Sequence, residues 1–184
     1  MMRIILISSM LLFIVSDIHW GGCPKVHYEL ESFDTARYTG LWYEIARSSS
    51  IPFEFGECCE ESYTLKENGG LGVLNSVLLN GVRSSLSMDA LPTDNQFQFK
   101  LDFGGIASKF IKGDYQIINT DYEGFVLVYS CTDLVVAKNE WFWILSRTPQ
   151  MNSNTLDTLL AYLKNTFNLQ TDASLTYSNH FIIL

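Results

Sequence analysis

Between Leu41 and Leu145 the chain breaks repeatedly into short apolar-polar alternations, each ended by a turn signal. The signals fall at Ser48 to Pro52, Glu67-Asn68-Gly69-Gly70, Asn80-Gly81, Leu91 to Asn95, Gly104-Gly105, Lys112-Gly113-Asp114, Asp121 to Gly124, and around Asp133 to Glu140. Eight runs lie between and around them. Side chains alternate faces along a strand, so such runs fit successive antiparallel strands joined by short connections, without intervening helices. The pattern predicts an all-β domain, either an eight-stranded up-and-down β-barrel or a two-sheet sandwich. A barrel of eight strands is just wide enough to hold one small ligand. Phe99, Leu101 and Phe103 share one face of their run, and Trp141, Trp143 and Leu145 share one face of another. Aromatic residues make up 14% of the chain, which suits pleated strands around an enclosed interior.

The period changes after Thr148-Pro149. Asn152-Ser153-Asn154 form an N-cap cluster, and Leu156, Leu159, Leu160, Leu163 and Phe167 then recur at helical spacing. One amphipathic C-terminal α-helix is expected, packed outside the strands on an apolar outward face such as Phe125, Leu127 and Tyr129. A short final strand is expected over 174–177.

At the N-terminus Met1-Met2-Arg3 precede an apolar run from Ile4 to Val15, broken only by Ser8 and Ser9. The run falls short of the about 20 residues needed to span a bilayer and has the charged start of a secretory signal. Residues 1–22 are read as a signal peptide, with cleavage anywhere from after Ser16 to after Gly22, and residues 23–184 as one domain. No later segment has the length and apolarity of a membrane-spanning helix, so no transmembrane segment is expected in the mature chain. The formal net charge of −8, with only twelve Lys and Arg, argues against a nucleic-acid partner.

An oxidising compartment favours disulfides among the four cysteines, Cys23, Cys58, Cys59 and Cys131, and sequence alone allows three full pairings. Their spacing matches no familiar zinc site, and no histidine lies beside the Cys58-Cys59 pair. Neither a metal nor another cofactor is expected. His19, His27 and His180 all fall outside the expected strands, which leaves no Cys-His or Ser-His-Asp set. Cys58 or Cys59 with Glu44 is the only candidate catalytic pair, and the chain is read as a non-enzyme.

The stretch Phe33 to Arg47, FDTARYTGLWYEIAR, resembles the first signature of the lipocalin family, a short helical turn followed by Gly-x-Trp on the first strand. Asn119-Thr120-Asp121-Tyr122 resembles the second signature, and Trp143 to Pro149, WILSRTP, the third. The likeness runs from Cys23 to about Tyr177 and is nearest to the subgroup of apolipoprotein D, bilin-binding proteins and bacterial lipocalins. It implies structural roles for Gly40, Trp42, Thr120, Asp121, Tyr122 and Arg147, with the Arg147 guanidinium across the Trp42 indole at the closed end of a barrel. It also implies a disulfide from Cys23 to Cys131. The family's second bridge would join Cys58 to a cysteine near the C-terminus, where this chain has none. Three states stay open for Cys58 and Cys59: a vicinal disulfide, thiols, or a disulfide-linked partner chain.

Strand parity and the family pattern together put Glu44, Ala46, Phe99, Leu101, Phe103, Tyr115, Ile117, Val126, Val128, Trp141, Trp143 and Leu145 inward, as walls for a ligand. Glu44 would be a carboxylate inside an apolar barrel, paired structurally with Arg37 or Tyr115, or else orienting a ligand. Ser48 to Gly56, with Ile51, Pro52, Phe53 and Phe55, resembles the family's long first loop at the open end. The resemblance implies a secreted, extracellular carrier of a small hydrophobic ligand: a fatty acid, lysolipid, sterol, retinoid or bilin, with a fatty-acyl or lysolipid molecule favoured by likeness to the bacterial members. A secreted protein-interaction module is the alternative, and a lipocalin-type isomerase ranks below both.

Overall fold

The computed structural model describes residues 18–49, 51, 56–105, 113–168 and 175–178. The alternating runs form eight antiparallel strands: β2 (Gly40–Ser48), β3 (Glu57–Leu65), β4 (Leu71–Leu79), β5 (Val82–Pro92), β6 (Gln98–Asp102), β7 (Asp114–Thr120), β8 (Phe125–Asp133) and β9 (Ala137–Ser146). Each pairs with the next in sequence, and β2 also pairs with β9, so the sheet closes on itself. That closure decides between the two expected architectures in favour of the barrel. Two short strands lie against it: β1 (Ile18–Trp20) beside β9, and β10 (Leu175–Tyr177) beside β2. Strand β10 matches the expected final strand, whereas β1 lies where the sequence reads as a leader.

The turns fall where the signals stand, with one difference. The break placed around Asp133 to Glu140 shrinks to three residues, because Lys138 to Glu140 pair in register with Asp133 to Cys131. Asn80 (φ 51°) and Gly81 (φ 78°) give the β4–β5 hairpin the two left-handed residues that a tight turn of the strands' own twist requires.

Helix α1 (Thr35–Tyr38) precedes β2, its N-cap Asp34 accepting hydrogen bonds from the backbone N–H of Ala36 and Arg37. Helix α2 (Ser153–Phe167) is capped by the Asn152 side chain at its start and by left-handed Asn168 (φ 57°) at its end. Its apolar stripe covers the outer faces of β2, β7, β8 and β9: Leu159 and Leu163 are buried among Ile45, Ile118, Leu127, Tyr129, Phe142 and Ile144. The Tyr129 and Phe167 rings lie 4.6 Å apart. The Cys23–Cys131 disulfide spans 108 residues of sequence and ties the segment before α1 to β8 under the same helix.

A second apolar cluster fills the barrel, including Tyr38, Trp42, Tyr63, Leu71, Val73, Met88, Phe99, Ile117, Val128 and Trp143. Strands β7 to β9 are therefore buried on both faces, inside by the barrel filling and outside by α2. Truncating Leu163→Ala at the centre of the outer cluster should cost about 2–5 kcal/mol in chemical denaturation. Leu156→Ala, at the edge of the stripe, should cost clearly less.

Candidate functional site

At one end the barrel is shut by a single arginine. Arg147, just past β9, lays its guanidinium over Trp42 of β2, 3.7 Å from the ring centroid. Its nitrogens donate to five backbone carbonyls: Nε to Tyr122 (3.1 Å), Nη1 to Leu41 (2.9 Å), and Nη2 to Arg37 (3.0 Å), Thr39 (2.9 Å) and, more weakly, Tyr38 (3.4 Å). The planar guanidinium can aim that many donors in fixed directions, which an ammonium cannot. Gly40 has φ +100°, and a Cβ there would stand 3.3 Å from Arg147 Nη1, so glycine is required two residues before the tryptophan. The turn between β7 and β8 supports the clamp. Asp121 Oδ1 accepts from the N–H groups of Glu123, Gly124 and Phe125, while Thr120 Oγ1 accepts from Tyr122 and donates to Phe125 O. Burial works to raise the Asp121 pKa, but these backbone donors outweigh it and hold the carboxyl below its ordinary value.

Above the clamp the barrel encloses a cavity lined by Glu61, Tyr63, Val73, Asn75, Met88, Ala90, Leu101, Tyr115 and Trp143. Its atom-free space is about 380 Å³ with the mouth included. The space is slender, and a ligand larger than ordered water enters only as side chains move aside.

The interior also carries charge. Glu44 and Arg47 form a buried ion pair, and Ser178 Oγ donates to the same Glu44 oxygen. Arg47 also reaches Cys59 Sγ (3.5 Å) and Gly56 O (3.3 Å). Across from Trp42, Glu61 Oε2 accepts from Tyr63 Oη (2.6 Å). Tyr115 Oη lies 2.7 Å from both Tyr63 Oη and Tyr38 Oη. Each phenol has one proton. With Tyr63 donating to Glu61, Tyr115 donates to Tyr63 and Tyr38 to Tyr115, a one-way chain. Burial raises the pKa of all three tyrosines, which keeps them neutral. Burial, with the Glu44 charge adding to it, also pushes the Glu61 carboxyl up to about 8, against the lowering effects of the Tyr63 hydrogen bond and Arg47.

Residues 33–170 match the family described as Lipocalin-like domain. The chain belongs to the lipocalins. It is 35% identical to apolipoprotein D of Bos taurus over 153 residues, covering 80% of this chain and 75% of that one. The bilin-binding protein of Pieris brassicae is 24% identical over 79% of this chain and 77% of its own. Among solved structures, lobster apocrustacyanin A1 superposes with a TM-score of 0.72 at 18% identity, covering 90% of this chain and 92% of that chain. Insecticyanin of the tobacco hornworm Manduca sexta does so with 0.70 at 21%, covering 88% of each.

Within this lipocalin the twelve residues expected to face inward separate into groups. Leu101, Tyr115 and Trp143 line the cavity. Phe99, Ile117, Val126, Val128, Trp141 and Leu145 are buried in the inner cluster, and Phe103 packs against it. Ala46 is a correction: it lies in the outer cluster under α2. A β-bulge is the reason. Glu44 pairs with Leu145 and Ala46 with Ile144, so Ile45 is an extra residue and the face of every later residue changes. Arg47, opposite Trp143, turns inward in consequence. Glu44 is buried as expected, but its partner is Arg47, not Arg37 or Tyr115. Arg37 instead covers the Tyr122 ring, 4.3 Å from its centroid.

The cavity walls from β3, β4 and β5 were not foreseen. The alternations Glu61-Tyr63, Val73-Asn75 and Met88-Ala90 hold the signal, since Glu61 faces Asn75 and Tyr63 faces Val73 across the ladder. Of the three states open for Cys58 and Cys59, the structure has buried thiols, 1% and 0% exposed, out of reach of a partner chain in this fold. Pro52, Phe53 and Phe55 of the first loop, and His180, lie outside the described residues, whereas Ile51 is buried in the inner cluster. Among the described residues no group of three or more His, Cys, Asp or Glu could hold a metal.

Replacing the clamp by Arg147→Lys keeps the charge but loses the directed donors. It should lower unfolding stability by about 1–3 kcal/mol, more than any single exposed Arg→Lys change such as Arg83→Lys. Glu61 sets a pH dependence. Its proton is held more tightly in the folded state than in the unfolded chain, so its contribution is complete below the ordinary carboxylate range and is lost as pH rises through about 8. Denaturation midpoints should fall across that window, and Glu61→Gln should flatten the fall.

Proposed function

We propose that this lipocalin is a secreted carrier that holds one small hydrophobic molecule in its barrel and catalyses no reaction on it. The observation that carries the reading is the cavity: a space inside the barrel with apolar walls from Val73, Met88, Ala90, Leu101 and Trp143 and a few polar groups from Glu61, Tyr63, Asn75 and Tyr115. Moving an alkyl chain from water to such walls contributes about 0.8 kcal/mol per CH₂ before association costs are subtracted. The name of the bilin-binding relative agrees with this use of the barrel. Secretion is supported by the signal-like run from Ile4 to Val15, which lies outside the described residues, and by the Cys23–Cys131 disulfide, a bond of oxidising compartments.

Against catalysis, the Glu44 carboxylate of the candidate Cys-Glu pair is engaged by Arg47 and Ser178. Native mass spectrometry of protein secreted from eukaryotic cells should reveal a co-purifying small molecule or one-to-one uptake of an added apolar probe, with quenching of Trp143 emission. Ala90→Phe, which fills the cavity, should weaken that uptake about tenfold or more while circular dichroism stays that of a β-barrel. A folded protein that takes up no apolar probe would rule the carrier out.

A further inference from the structure

Among the described residues the buried charges of the cavity balance only while Glu61 keeps its proton. Two carboxylates, Glu44 and Glu61, face one guanidinium, Arg47, and that guanidinium is engaged with Glu44, Cys59 and Gly56. Among the described residues Glu61 receives a single hydrogen bond, from Tyr63 to Oε2, and its other oxygen has no donor, although the residue is 4% exposed and lines the cavity. The tyrosines cannot supply one, because their three protons are committed along the chain that ends on Oε2. Resting on the carrier reading above, we infer that the cavity selects ligands whose polar end is a hydrogen-bond donor, an ammonium foremost, received by Glu61.

An ammonium entering beside Met88, Ala90 and Trp143 would take the place of the Glu61 proton, bringing both a balancing positive charge and a donor for the second oxygen. A carboxylate there would bring another negative charge beside Glu44 into a low-dielectric space. The fatty acids favoured by family likeness are thus the ligands this floor disfavours. Groups facing Glu61 from neighbouring elements are Glu44 and Arg47 on β2, Tyr63 on its own strand, Tyr115 on β7 and Tyr38 on α1. Burial keeps the tyrosines neutral, so Glu61, which lines the cavity, is the group that answers to the ligand. Near neutral pH its proton passes to the buffer as the ammonium binds, leaving a carboxylate paired with a cation.

The experiment compares decylamine, decanol and decanoate by isothermal titration calorimetry on the full mature protein and on Glu61→Gln. Decylamine should bind about tenfold or more tighter than decanoate, with decanol between them. Its binding near pH 7 should release a proton, read as heat that varies with the buffer, and its affinity should rise towards pH 9. In Glu61→Gln the preference should collapse towards unity. Decanoate binding as tightly as decylamine would overturn the inference and leave the carrier standing, as would a preference that survives in Glu61→Gln. Failure of all three to bind would overturn the carrier reading itself. Should Glu61→Gln not fold, proton release in the unaltered protein decides: its absence overturns the inference.

Discussion

The pairing of β2 with β9 is the seam on which the molecule depends. An open sheet of eight strands would leave two rows of backbone donors and acceptors bare, whereas closure satisfies them and creates an interior. The other edge of β2 is also covered with few gaps. Where β3 leaves β2 after Tyr43, β10 takes up the ladder from Ala46 to Ser48. The Arg147 clamp binds both sides of the seam, since Trp42 belongs to β2 and Arg147 follows directly on β9. One side chain thereby joins the first strand, the last strand, helix α1 and the β7–β8 turn.

Closure also sorts the apolar residues into two bodies. Inside lies the aromatic filling around the cavity, and outside lies the layer between α2 and the backs of β7 to β9, reinforced by the Cys23–Cys131 bridge. The wall between them is dry on both faces. Such a wall is stiff, because neither face can yield without disturbing close packing on the other. Among the described residues no helix lies behind strands β3 to β5, which expose Leu65, Leu74, Leu79 and Val82 outward. Most of the cavity lining comes from this thinner side, where Val73, Met88 and Ala90 have room to adjust.

The legibility of the fold follows the same division. Turn signals and period-two runs located all eight strands, and the helical spacing from Leu156 to Phe167 located α2, because each rests on local backbone chemistry. The clamp was legible through family likeness at Gly40, Trp42 and Arg147. The cavity was less so. Ala46 was misplaced because parity counts every residue, and the extra one at Ile45 leaves no mark in the sequence. Glu61 and Asn75 escaped notice because a polar residue on a strand ordinarily points to water. Only the cross-strand register, Trp42 opposite Glu61 and Glu61 opposite Asn75, turns them inward.

The bulge at Ile45 has a reach beyond its own position. It acts as a phase shift in β2: before it even-numbered residues face the cavity, after it odd-numbered ones do, and so both Glu44 and Arg47 arrive inside although their numbers differ by three. The electrical character of the interior is therefore set by strand length as much as by residue identity. Removing one residue there would send the guanidinium outward beneath α2 and leave two carboxylates facing each other with no cation between them. In this barrel an insertion or deletion in the first strand exchanges what is inside for what is outside, a change of polarity that no single side-chain substitution can make.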